Sequence, residues 1–89
     1  MTLHRYELEF APKAIRSIGK LDRLVAERIR AAAEALRDEP RPASARMLTG
    51  MHGVWRVRVA KDYRIIYTLD EDRLVILVAD AGHRREIYR

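Results

Sequence analysis

Hydrophobic and polar residues alternate from Leu3 to Phe10, with His4, Tyr6, Leu8 and Phe10 on one side and Leu3, Arg5, Glu7 and Glu9 on the other. That period of two predicts a strand with one partly wet face. The period then changes. Ala11-Pro12 opens a short helix running to Ile18 with Gly19 as its stop, because proline suits a first helical turn and glycine an end. Asp22 is placed to cap a longer helix, in which Leu21, Leu24, Val25, Ile29, Ala32, Ala33 and Leu36 form an apolar stripe at helical spacing. Pro40 and Pro42 end it, since the residue before a proline disfavours helical geometry.

Residues 40–53 read as a connector, with Met47 and Leu48 tucked against the core. Three strands follow, Val54–Ala60, Tyr63–Leu69 and Arg73–Ala79, the last two joined by the polar turn Asp70-Glu71-Asp72. The run Leu74-Val75-Ile76-Leu77-Val78 is apolar throughout, as expected of a central strand. The order β-α-α-β-β-β predicts an α+β domain spanning residues 1–89, a helical hairpin packed on a mostly antiparallel four-stranded sheet. The first strand must pair with a later one, and periodicity does not say which.

Within Val54-Trp55-Arg56-Val57-Arg58-Val59, parity sends Trp55, Val57 and Val59 inward and places Arg56 and Arg58 together on the outer face. A two-residue turn at Lys61-Asp62 would put Arg64 opposite Val59 on the core side. A loop with an odd residue count, such as Lys61-Asp62-Tyr63, or a bulge would put it with Ala60, Arg58 and Arg56 instead. The inward set Tyr63, Ile65, Tyr67 and Leu69 favours the odd connection, because a one-residue slip would bury an arginine in the core.

Charge sharpens this picture. The net charge is +5, and residues 40–68 carry Arg41, Arg46, Arg56, Arg58, Lys61 and Arg64 against Asp62 alone. Residues 82–89 are also basic, whereas residues 69–81 are acidic. Basicity concentrated on the hairpin and the tail predicts nucleic acid or another acidic partner. With 89 residues the chain has room for one core. It has no cysteine, hence neither a disulfide framework nor a thiolate metal site, which suits a reducing compartment. No run resembles a signal peptide or a membrane span, so a cytoplasmic location without membrane partners is expected.

The residues permit little conventional chemistry. Ser17 and Ser44 lack a nucleophile context, no metal-ligand motif or cofactor fingerprint is present, and no glycine-rich phosphate loop occurs. RNA cleavage without a metal fits, because RNA carries its own nucleophile, the 2′-hydroxyl. The protein then has to orient the attack, stabilise the extra negative charge and move two protons. Arginines suit the charge-stabilising part but are too basic to accept protons. Proton transfer falls to His83, Tyr88 or Lys61.

The run Leu48-Thr49-Gly50, the hairpin Trp55-Arg56-Val57-Arg58-Val59 with Asp62-Tyr63-Arg64-Ile65-Ile66-Tyr67, and the ending Gly82-His83-Arg84-Arg85-Glu86-Ile87-Tyr88 together resemble the RelE toxins of the RelE/ParE superfamily. The resemblance covers nearly the whole chain. It implies a type II toxin that enters the ribosomal A site, cleaves translated mRNA, and is masked by a cognate RelB-like antitoxin whose helices wrap it. By position it implies phosphate or RNA binding by Arg56 and Arg58, and catalytic roles for Arg64, Arg84, His83 and Tyr88; Lys61 and Arg85, basic neighbours in the turn and the tail, are expected to add to the phosphate contacts. Arginine stands at both paired strand positions where lysine is frequent in the family, which removes an ammonium-type base, and the short tail leaves Arg84 and Arg85 competing for one role. The ParE branch shares the fold but acts on DNA gyrase, and a gyrase inhibitor without nuclease activity is the alternative.

Overall fold

The computed structural model describes residues 5–87. Strand β1 (Glu7–Phe10) leads into helix α1 (Pro12–Gly19) and helix α2 (Arg23–Ala35). Strands β2 (Arg46–Met47), β3 (Val54–Val59), β4 (Tyr63–Asp70) and β5 (Val75–His83) follow, and the short helix α3 (Arg84–Ile87) closes the described chain. No helix among the described residues is long and apolar enough to cross a membrane.

The helices form where local chemistry asks for them. Proline begins α1, and the Asp22 carboxylate accepts a hydrogen bond from the Leu24 N–H at 3.2 Å, closing one orphan donor of α2. Ala14, Ile18, Ala26, Ile29, Ala33 and Leu36 are buried against the sheet. Leu24, read as part of the stripe, is instead 69% exposed. It sits in the first turn of α2, where the hairpin leaves the sheet and nothing among the described residues covers it. Beyond α2, the Arg37 guanidinium donates to the Tyr6 carbonyl at 2.9 Å and Arg5 pairs with Asp38 and Glu34, fastening the helix end to the chain just before β1.

The α+β order holds, and the sheet has five strands rather than four, in the order β1-β5-β4-β3-β2. The additional strand is the two-residue β2, which lies in the segment read as a connector and pairs antiparallel with β3. Met47 on this edge is 46% exposed, not tucked against the core, because an edge strand has no neighbour to cover it. Strand β1 pairs parallel with β5, Leu8 opposite Ile76 and Phe10 opposite Val78. A parallel partner needs a crossover, and the helical hairpin is part of it. The last strand extends past Ala79 to His83, so Gly82 and His83 belong to the sheet and not to a tail.

The inward face carries Val57, Val59, Ile65, Tyr67, Ile76, Val78 and Ala81 against the helices, with Tyr6, Leu8, Phe10, Trp55 and Tyr63 packed around them. Tyr67 is completely buried. Its hydroxyl donates to the Pro40 carbonyl at 2.8 Å, tying the proline loop to the sheet, and burial pushes the phenol up to about 12 against a smaller opposing pull from the Arg41 charge.

Candidate nucleic-acid interface

Register decides which arginines meet. The β3–β4 pairing sets Val59 opposite Tyr63, Arg58 opposite Arg64, Val57 opposite Ile65 and Arg56 opposite Ile66. The connection is therefore Ala60-Lys61-Asp62, odd in length as expected but one residue earlier than Lys61-Asp62-Tyr63, because Ala60 leaves the strand in left-handed backbone at φ 54° and Tyr63 already pairs with Val59. Arg56, Arg58 and Arg64 share the face away from the helices. A bulge does occur, but farther along, between β4 and β5 at Ile66/Tyr67. It lets β5 keep Val78 inward beside Tyr67 and Ala81 inward beside Ile65.

A fourth arginine joins this face. Arg46 of β2 stands directly opposite Arg56, and its guanidinium donates to the Ala43 and Ala45 carbonyls, each at 2.8 Å. Sequence reasoning missed it, because a two-residue strand has no detectable period. The face thus carries two directly opposed arginine pairs, Arg46 with Arg56 and Arg58 with Arg64. Like charges opposite each other across an antiparallel pair are destabilising, by roughly 0.2–1 kcal/mol. An anion lying between them reverses that sign.

Exposure differs along the cluster. Arg58 is exposed and Arg56 half-buried, whereas Arg64 is only 7% exposed. The Arg64 guanidinium donates to the Tyr63 carbonyl at 3.1 Å, and no carboxylate among the described residues lies within ion-pair distance of it. Its neighbour across β4–β5 is Gly82, which raises no side chain beside it. Arg64 is therefore held close to the sheet as a partly desolvated charge, and such a charge gains more from a phosphate than a solvated one does.

The end of the sheet supplies the remaining cations. Lys61 is exposed in the β3–β4 loop. Arg84 opens α3 and is fastened to that loop twice: its backbone N–H donates to the Asp62 carbonyl at 2.8 Å, and its Nε lies 3.9 Å from the Asp62 carboxylate. Asp62, which the sequence presents only as the lone acid of a basic stretch, is what positions Arg84. Arg85 is exposed on α3. Tyr88 lies outside the described residues.

His83 is placed differently. It pairs with Tyr63, one step beyond Arg64 and Gly82, and so belongs to the opposite face. Its ring meets that of Tyr63 edge-on, centroids 5.4 Å apart at 81°. Its Nδ1 accepts the Arg85 N–H at 3.2 Å, which leaves the proton of the neutral ring on Nε2. The structure thus gathers Arg56, Arg58 and Arg64 on one face, sets Lys61 and Arg84 at its end, and directs His83 to the reverse side. There it lines a cavity of about 480 Å³ between α1 and β5, with Lys13, Ser17, Lys20, Tyr63 and Asp80 among its walls.

A helical hairpin on a mixed five-stranded sheet with an arginine-studded outer face defines a toxin domain of the RelE/ParE superfamily. The chain belongs to the family described as the ParE toxin of type II toxin–antitoxin system, parDE, whose model matches residues 8–88. Solved relatives carry the RelE name. The RelBE2 toxin–antitoxin complex of Mycobacterium tuberculosis aligns with a TM-score of 0.79 at 23% identity, covering 90% of this chain and 99% of that one. The isolated RelE toxin of E. coli aligns at 0.76 and 26% identity, covering 93% and 90%. The archaeal RelE–RelB complex of Pyrococcus horikoshii aligns at 0.77 and 22% identity, covering 90% and 96%. No curated protein sequence matches the chain.

Proposed function

We propose that this type II toxin is a ribosome-dependent, metal-independent endoribonuclease that cleaves mRNA in the A site. The observation that carries the reading is the pair of opposed arginine couples on one face of the sheet, Arg46 with Arg56 and Arg58 with Arg64. In this reading the RNA phosphate chain runs along that face. Arg56 and Arg58 hold the chain, and Arg64 binds the scissile phosphate, where a guanidinium fork stabilises the charge that develops as the 2′-hydroxyl attacks. Arg84, anchored by Asp62 at the end of the face, supports the leaving oxygen, with Arg85 beside it on α3.

Two protons must move, and arginine moves neither. Lys61, in the loop that anchors Arg84, is the candidate at this end of the sheet, and Tyr88 is the candidate named by the family resemblance. His83 faces the other way, so stacking against a base fits it better than proton transfer at the phosphate. A RelB-like antitoxin is the partner expected to mask the face, since an acidic, amphipathic segment complements an exposed basic surface. The toxin acts in the cytoplasm in this reading.

The test is primer extension on mRNA after brief induction. New 5′ ends inside translated codons, abolished by Arg64→Ala in a protein that stays folded and antitoxin-bound, are the expected result. The ParE description of the matching family favours a second reading, gyrase inhibition without nuclease activity. It predicts intact mRNA together with blocked supercoiling in the same cells, and that result would replace the nuclease reading.

A further inference from the structure

We propose that the groove between α1 and the end of β5 is a second RNA subsite, which takes the base of a nucleotide adjoining the phosphate held on the arginine face. The proposal rests on the RNA reading of that face and extends it around the end of the sheet.

The placement comes from register. Arg58, Arg64 and Gly82 form one cross-strand row on the outer face, and the next row, Val59, Tyr63 and His83, points to the inner face. Successive rows are about 3.3 Å apart along the strands. The arginine row and the groove therefore open at the same end of the sheet, with the loop bearing Lys61 between them. Strand β1 stops pairing at Val78, so from Ala79 to His83 the edge of β5 is flanked by α1 instead of a strand, and that gap is the groove. A single strand of RNA can pass from the outer face over this end.

The walls have the chemistry a nucleotide needs. Tyr63 and His83 present two half-buried rings, and bases stack on such rings with little regard to sequence. The Arg85 N–H occupies His83 Nδ1, so Nε2–H is left as a donor. Asp80 is largely buried, accepts its own neighbour's N–H from Ala81 at 2.9 Å and pairs with Lys13 at 3.5 Å. Its carboxylate offers lone pairs to the exocyclic amine of a base, while Lys20 at the exposed rim suits the phosphate. The cavity of about 480 Å³ falls within the size range of small-ligand sites.

The experiment titrates full-length, isotope-labelled Arg64→Met toxin with adenosine 5′-monophosphate and, separately, with inorganic phosphate, read by amide and ring NMR shifts. The nucleotide is expected to move Ser17, Tyr63, Gly82 and His83, and inorganic phosphate is expected to leave the two rings unmoved. Ser17→Phe, which fills the groove, should remove those shifts, and Lys20→Glu should weaken them at least fivefold. Shifts confined to the arginine face, equal responses to phosphate alone, or a groove that answers only to an antitoxin segment would each overturn the subsite. Wild-type cleavage by primer extension reports separately on the RNA reading: cleavage with a silent groove sinks the subsite alone, and no cleavage sinks the reading beneath it.

Discussion

Arg64 allows stability and activity to be pulled in opposite directions by one substitution. Its side chain is 7% exposed and its guanidinium rests on the Tyr63 carbonyl with Arg58 directly across the strand pair. Replacement by methionine keeps most of the apolar stem and deletes the charge. Removing the opposed like charge returns up to about 1 kcal/mol, and relieving a buried charge of its desolvation adds to that gain. The lost bond to Tyr63 costs about 1 kcal/mol. Arg64→Met is therefore expected to be as stable as the wild type or up to about 2 kcal/mol more stable, whereas Arg64→Ala also loses the stem and falls about 2–3 kcal/mol below the methionine variant. Urea unfolding followed by the fluorescence of Trp55, the lone tryptophan, measures this directly. Cleavage should move the other way. Deleting a donor that stabilises developing charge costs about 10²–10³ in rate, so single-turnover cleavage of mRNA on programmed ribosomes should drop by that factor in both variants. Arg64→Lys keeps the charge without the fork and should recover only part of it. A methionine variant that loses 2 kcal/mol or more, or that cleaves within tenfold of the wild type, refutes the assignment of Arg64 to the phosphate.

Tyr67→Phe should cost about 1 kcal/mol at neutral pH through the lost bond to Pro40. Because the Tyr67 phenol titrates near 12 when folded and near 10 when unfolded, the wild type holds about 3 kcal/mol below pH 10 that it loses as pH rises toward 12. The phenylalanine variant lacks this loss, so the stability difference between the two should shrink and then reverse across that window; a difference independent of pH would contradict the burial of a neutral phenol. Asp62→Ala should lower cleavage about two- to fivefold with an unchanged melting temperature, since an exposed ion pair contributes at most about 1 kcal/mol and the backbone bond to Arg84 survives. Asp22→Ala removes the cap of α2 and should reduce unfolding stability by about 1 kcal/mol without touching cleavage; a larger fall in activity than in stability would mean that α2 has a part beyond scaffolding.

Periodicity along the chain carried the helical hairpin, the strands from Val54 onward, and the sharing of one face by Arg56, Arg58 and Arg64, because parity and helical spacing depend only on near neighbours and on which residues avoid water. It carried the odd β3–β4 loop as well, since the alternative register would have turned an arginine into the core. Tertiary structure alone decided the rest. The parallel β1–β5 pairing joins residues nearly 70 positions apart, and no local pattern states which edge a strand will seek. Arg46 enters the arginine face only because a two-residue segment finds the free edge of β3. His83 turns from the arginines because β5 runs through Gly82 into that position, which sets its direction by strand parity where a free tail would leave it open. The depth of Arg64, the anchoring of Arg84 by Asp62, and the meeting of Lys13, Ser17 and Lys20 with Asp80 and His83 come from the way the helices and strands pack. Side-chain alternation is a property of neighbours, and burial and convergence are properties of the closed fold.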